Sequence, residues 1–232
     1  MSAQRATGAS TDSRRSAVSA RRRRREADIL DATRALFDAR GVRDAQIEDI
    51  ARAVGVNRAI IYRHFAGKEE LFALTLVGYL EELAARLQAS DDPSDAPEDR
   101  LRAITGAFVD YGLEFPAFVD CALTLMRRSG PELLEEISEG SMYRLGRGIA
   151  TCLAPVARTI EAGVETGVFH TDDVDLLANT LYASGLGGMQ LARVGMVVKE
   201  AAPGVPTTAR LSADQVKEHL IASSVAMAVG AP

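Results

Sequence analysis

Asn57, Arg58, Ala59, Tyr62, Arg63, His64 and Lys68 crowd into twelve residues of the stretch VNRAIIYRHFAGK, Val56 to Lys68. They are hydrogen-bond donors, cations and one small apolar group, a set suited to phosphates and base edges. An arginine can hold guanine O6 and N7 together or grip a phosphate; tyrosine and lysine hold phosphate; an alanine meets a thymine methyl. His64 has no spaced carboxylate or nucleophile beside it, so general-base chemistry is not expected of it. The chain has no HExxH, no paired histidines and no GxSxG. Neither a metal site, a cofactor nor enzyme activity is therefore expected. Cys121 and Cys152 show no CxxC or Cys/His spacing and are read as reduced core residues.

Groups of this kind read DNA only when a rigid element carries them. Ile47, Ile50, Ala51 and Val54 recur at the spacing of one face of a short helix, about 47–54. Gly55 supplies the left-handed turn that other residues resist, and Asn57 can cap the next helix, about 58–65. Val54, Val56 and Ile61 fill the wedge between the two helices. Arg58, Ala59 and Tyr62 remain outside, with Arg63 and His64 beside them, on the face that a helix-turn-helix lays in the major groove.

The flanks carry the same helical stride. Ile29, Leu30, Thr33, Leu36 and Phe37 precede the pair and stop at Gly41, and Lys68 to about Ala89 follows as a long amphipathic helix. Residues 1–20, rich in Ser, Ala, Thr and Arg, are expected to be disordered. Ser90–Asp99, SDDPSDAPED, reads as a loop ending in a helix start, with Asp95 and Glu98 spaced as a capping box and Pro97 in the first turn. Helices are then expected to about Glu114, over Pro116–Arg128, from Pro131 through Val164 to the break ETGVF, and over Val174–Val198 and Ser212–Ala228, the last two separated by AAPGVPTT. No strand is expected. The architecture is read as all-α: a helix-turn-helix domain over 21–68 and a larger helical regulatory and dimerisation domain over 69–232.

Charge divides the chain unevenly. Residues 1–25 hold eight arginines against one acid, a net +7; residues 26–68 balance at seven of each sign; residues 69–232 hold twelve basic and twenty-four acidic groups, a net −12. A polyanion is expected to meet the front end only. The run Arg21–Arg25 is either a minor-groove arm or a solvated tail adding nonspecific attraction. No apolar run follows the basic N-terminus, and no segment reads as a membrane span, so neither a secretory signal nor a membrane partner is expected and a cytoplasmic location is.

The run ILDATRALFDARGVRDAQIEDIARAVGVNRAIIYRHFAGKEEL, Ile29 to Leu71, resembles the N-terminal DNA-binding segment of the TetR family of bacterial transcriptional regulators. The matching positions are Ile29-Leu30, Leu36-Phe37, Gly41, Asp49-Ile50-Ala51, Gly55-Val56, Tyr62-Arg63-His64-Phe65 and Lys68-Glu69. The resemblance implies a homodimer on a palindromic operator, released by a small molecule. It implies that Arg58 and Ala59 meet base edges, and that Tyr62, Lys68 and His64 hold phosphate. Gln46 stands where the family commonly has threonine, and still donates to a phosphate. Ala59-Ile60 replaces a small residue followed by threonine, and Gly67 replaces a serine cap, so no operator is borrowed.

In the body, Tyr111, Phe115, Phe118, Met126, Arg127, Met142 and Tyr143 are the candidates for a mostly apolar effector cavity; plain core is the other reading. Leu177, Leu181, Gly185, Gly188, Leu220, Ile221 and Val225 are the candidates for a four-helix dimer interface, against packing within one chain. The alternatives are a DNA-binding regulator controlled by a protein partner, and an all-α enzyme, for which the sequence offers no clustered base, nucleophile or metal set.

Overall fold

Leu71, Phe72, Leu74, Leu76, Tyr79, Leu80, Leu83 and Leu87 draw α4 (Lys68–Ser90) into the middle of the molecule, where all eight are buried. The computed structural model describes the backbone of residues 4–43 and 45–230, and side chains within that range from Ser16 onward. Ahead of α4 lie α1 (Gln4–Arg40), α2 (Ile47–Val54) and α3 (Arg58–His64). After it come α5 (Pro97–Glu114), α6 (Pro116–Met126), α7 (Gly130–Glu136), α8 (Glu139–Glu165), α9 (Val174–Val194), a hairpin of β1 (Met196–Ala202) and β2 (Val205–Arg210), and α10 (Ala213–Val229). α8 packs along α4, α5 lies against both, and α9 and α10 close the far side. The helical class is as expected.

One continuous core joins headpiece to body. Ile29, Phe37, Ile50, Ile61 and Phe65 belong to the same buried cluster as Leu80, Phe118 and Leu186. Its aromatic centre sets Tyr111 tilted against Phe115 at 4.9 Å and edge-on to Phe118 at 5.4 Å, with Phe108 edge-on to Phe118 at 6.2 Å. Buried phenols need partners: Tyr79 donates to Asp38 at 2.6 Å and Tyr111 to the Tyr79 carbonyl at 3.0 Å. Cys121 and Cys152 are free and buried.

Several local expectations are corrected. Helix α1 begins at Gln4, so residues 4–20 are helical where disorder was expected; the expectation for 1–3 lies outside the described residues. Alanine and arginine are strong helix formers, and the 37-residue helix extends the packed segment that follows. The start of α5 is capped by Ala96 without a side-chain bond, not by Asp95, although Pro97 does open the helix. The single helix expected from Pro131 is two. Ile137 takes an extended conformation (φ −122°, ψ 131°), and Ser138 then caps α8 by accepting from the Ser141 amide.

The expected absence of strands fails after α9. Gly195 ends that helix at Val194, four residues early, and β1 pairs antiparallel with β2 from Met196↔Arg210 to Ala202↔Val205. Valines and threonines suit extended chain, and Pro203-Gly204 makes the two-residue turn: proline fixes the first φ, and Gly204 takes +77° at the second. The hairpin projects from the helical body with Val198 77% exposed.

Candidate nucleic-acid interface

The turn between α2 and α3 is built as the sequence requires. Gly55 sits at φ 71°, its amide reaching back to the Ala51 and Arg52 carbonyls, and the Val56 amide donates to Ala51 at 2.9 Å. Asn57 then accepts from the Ile60 amide at 3.1 Å, fixing the first turn of α3. Ile61 is buried and Val54 and Val56 are half-buried, so the wedge between the helices is filled. An α3 held at both ends has little freedom to roll, and its outer face is set.

That face carries Arg58, Ala59, Tyr62 and Arg63, all exposed, with Asn57 at the leading end. Gln46, ahead of α2, and Lys68, opening α4, are exposed as well. Lys68 Nζ lies 5.0 Å from the centre of the Phe72 ring, a cation–π contact that limits its swing. Arg58 is not idle in the free protein. Its Nη1 donates to Glu48 Oε1 on α2 at 2.8 Å, and its guanidinium lies 5.8 Å from the Tyr62 ring. The hydrogen bond to Glu48, then its charge, holds the Arg58 pKa above the ordinary value, and the same bond holds Glu48 below its own. Both side chains are exposed, so a phosphate or base can compete for the guanidinium.

His64 departs from the set. It is half-buried, and its Nδ1 is enclosed without a hydrogen-bond partner among the described residues. Burial and then the positive field of Arg22 lower its pKa, so the ring is neutral at pH 7 and offers phosphate no charge. The run Arg21–Arg25 is part of α1 and not a loose arm, with Arg21 to Arg24 exposed.

The proposed effector candidates do not come together. Tyr111 and Phe118 are fully buried in the aromatic centre that Phe115 packs against; Met142 packs on the same core; Tyr143 and Met126 are 71% and 52% exposed; Arg127 lies on an open groove beside Arg43 and Lys68. The apolar cavity in the body lies elsewhere, enclosed by α4, α5, α8, α9 and α10, with Leu83, Phe108, Val156 and Leu181 in its wall. The interface candidates likewise turn inward. A Cβ on Gly185 would stand 2.5 Å from Phe108, and one on Gly188 2.8 Å from Leu220, so both glycines serve contacts within the chain. Leu177, Leu181 and Val225 pack in a small cluster with Leu101 and Phe169, Leu220 packs on the main core, and Ile221 covers Gly106. The outward face of α9 is instead Leu176, Thr180, Ser184, Gly187 and Leu191, beside Ala222, Ala226 and Met227 of α10.

Residues 29–75 match the family model described as bacterial regulatory proteins, tetR family. The repressor KstR2 of Mycobacterium tuberculosis H37Rv is 35% identical over 80 residues, 34% of this chain and 40% of KstR2. The activator FasR of Mycolicibacterium smegmatis is 30% identical over 87 residues, 38% of this chain and 40% of FasR. The chain thus spans about 40% of the length of these curated relatives. Beyond the headpiece the likeness is one of fold: the crystal structure of RolR in complex with resorcinol superposes with a TM-score of 0.66 at 19% identity, covering 90% of each chain.

Residues 29–75 are a tetR-type DNA-binding segment.

The family match ends at residue 75, inside α4, so every residue of the α2–turn–α3 unit lies within it. The tetR-type headpiece was legible from the sequence. The cavity and the outward face of α9 were not, because their residues come from separate helices and share no local pattern.

Proposed function

We propose that this chain is a tetR-family, homodimeric, DNA-binding transcriptional regulator, acting as a repressor that a small, mostly apolar ligand releases from a palindromic operator. The observation that carries the reading is the rigid α3 face of Arg58, Ala59 and Tyr62, exposed and flanked by Lys68. Arg58 and Ala59 read base edges; Tyr62, Arg63, Gln46 and Lys68 fix the register on phosphates. In the free protein Glu48 occupies Arg58 until DNA competes for it. Two headpieces related by a two-fold axis meet half-sites about 34–36 Å apart. The outward face of α9 with α10 is the surface for the second copy. Its small central residues, Thr180, Ser184 and Gly187, suit close approach of helices, and Leu176 is 64% exposed. The apolar cavity behind that face is the effector site. Ligand there favours a dimer with another headpiece spacing, by no more than its differential affinity for the two forms.

No helix among the described residues is long and apolar enough to cross a membrane. Selection of bound duplexes from a random pool tests the reading. Enrichment of an inverted repeat supports it; no enriched sequence at moderate salt overturns it. Reporter expression from the selected site then sets the sign, loss of expression being expected and activation contradicting the repressor role.

A further inference from the structure

The cavity behind α9 has a chemistry that narrows its ligand. Its volume is about 60 Å³, and its wall contains no charged side chain among the described residues. The oxygens it presents are hydroxyls of Thr105, Ser184, Ser223, Ser224 and Tyr182. Two of these are spent within the protein: Thr105 Oγ1 donates to Ser224 Oγ at 3.1 Å, and Ser224 Oγ donates to the Ile221 carbonyl at 2.8 Å. Ser223 Oγ lies 3.4 Å from His219 Nε2, and Ser184 sits exposed at the mouth. Tyr182 differs. Its ring packs 5.6 Å from Phe108, and burial pushes the phenol pKa up, so it stays protonated. Among the described residues its hydroxyl has no hydrogen-bond partner, unlike those of Tyr79 and Tyr111.

The Tyr182 side chain is half-buried on the cavity wall, so its hydroxyl is a free donor that a ligand oxygen can engage in place of water. A carboxylate or ammonium would leave water with no counter-charge waiting, which is far more costly. Resting on the effector reading, we propose that this cavity takes a small uncharged molecule with an apolar body and one oxygen, which accepts a hydrogen bond from the Tyr182 hydroxyl. The cavity is smaller than the roughly 150 Å³ that holds a benzene ring. A ring-sized ligand therefore enters by displacing Met227, half-exposed at the mouth, whose unbranched side chain yields readily. That displacement acts on the seam between α9 and α10.

Calorimetric titration of the free protein with phenol, toluene and benzoate tests this. Phenol and toluene are equal in size and differ in the oxygen; benzoate adds charge. Saturable binding of phenol and none of benzoate is expected. Tyr182→Phe is expected to weaken phenol about tenfold, the worth of one hydrogen bond, and to leave toluene within about twofold. Benzoate binding as tightly as phenol, equal loss of phenol and toluene in the variant, or no saturable binding of any probe overturns the proposal. The effector reading fails separately, when bound phenol leaves affinity for the selected duplex unchanged.

Discussion

Glu70 and Ser138 tie the headpiece to the body through one buried carboxylate. Glu70 Oε1 accepts from the Ser138 amide at 3.3 Å and from the Ser138 hydroxyl, while Oε2 accepts from the Ala66 amide. Ala66 lies in the turn that follows α3, and Ser138 caps α8. A movement of α8 therefore has a direct hold on the turn that aims α3. Replacing Glu70 by alanine strands these donors, so a loss of about 1–3 kcal/mol is expected in urea unfolding, with a smaller loss for Glu70→Gln. Equal stability of all three proteins would remove the strut.

The same carboxylate sets a pH dependence. Burial alone would raise its pKa, but hydrogen bonds from Ala66, Ser138 and Ser141 outweigh that and hold it below the ordinary value. A depressed carboxyl stabilises the fold above its unfolded pKa, and that contribution disappears as pH falls through the folded value. Thermal melts are expected to show stability falling below about pH 4, with a shallower slope in Glu70→Gln. Parallel slopes would assign the acid loss to other carboxylates.

Arg58 and Lys68 are expected to fail in different ways. Arg58→Ala should cost about 1–3 kcal/mol on the selected duplex and little on scrambled DNA, while Lys68→Ala lowers both and flattens the salt slope by about one. Glu48→Gln, by removing a negative charge beside the phosphates, should tighten binding to both duplexes at low salt. Anisotropy titrations across salt read all three; an Arg58 variant indistinguishable from the parent would take that residue out of base reading.

The glycines of α9 separate packing from association. Gly185→Ala drives a methyl into Phe108, so a loss of about 1–3 kcal/mol is expected. Gly187 has open space around it, so Gly187→Arg should fold and sediment as a monomer. A Gly187→Arg dimer would move the interface elsewhere.

Cys121 and Cys152 give a further check on the core. Burial raises both thiols, Cys152 to about 12, so neither forms thiolate at neutral pH. Reaction with a disulfide reagent is expected only as fast as the protein opens. Prompt reaction of either in the native protein would contradict the packing of α6 or α8.

What could be read in advance was local. Gly55 and Asn57 declare a turn and a cap within three residues, and the apolar stride from Leu71 to Leu87 declares α4, because each signal depends on neighbours in sequence. Gly185 and Gly188 declared close approach but not its direction, which Phe108 and Leu220 decide from distant helices. Tyr111 and Tyr182 look alike as letters; only their surroundings separate a satisfied core phenol from one facing a cavity. The hairpin did leave a local trace, since Gly195 and Pro203-Gly204 bracket a valine-rich run that was read as the end of a helix.

Spacing is the most direct test. Duplexes carrying the two selected half-sites with zero, one, five or ten inserted base pairs can be titrated by anisotropy. If the bodies hold two headpieces at one separation, the uninterrupted site binds most tightly, and five inserted pairs, half a helical turn, reduce binding to that of a single half-site. Affinity that does not change with the insertion would mean that the headpieces bind independently, against the central claim.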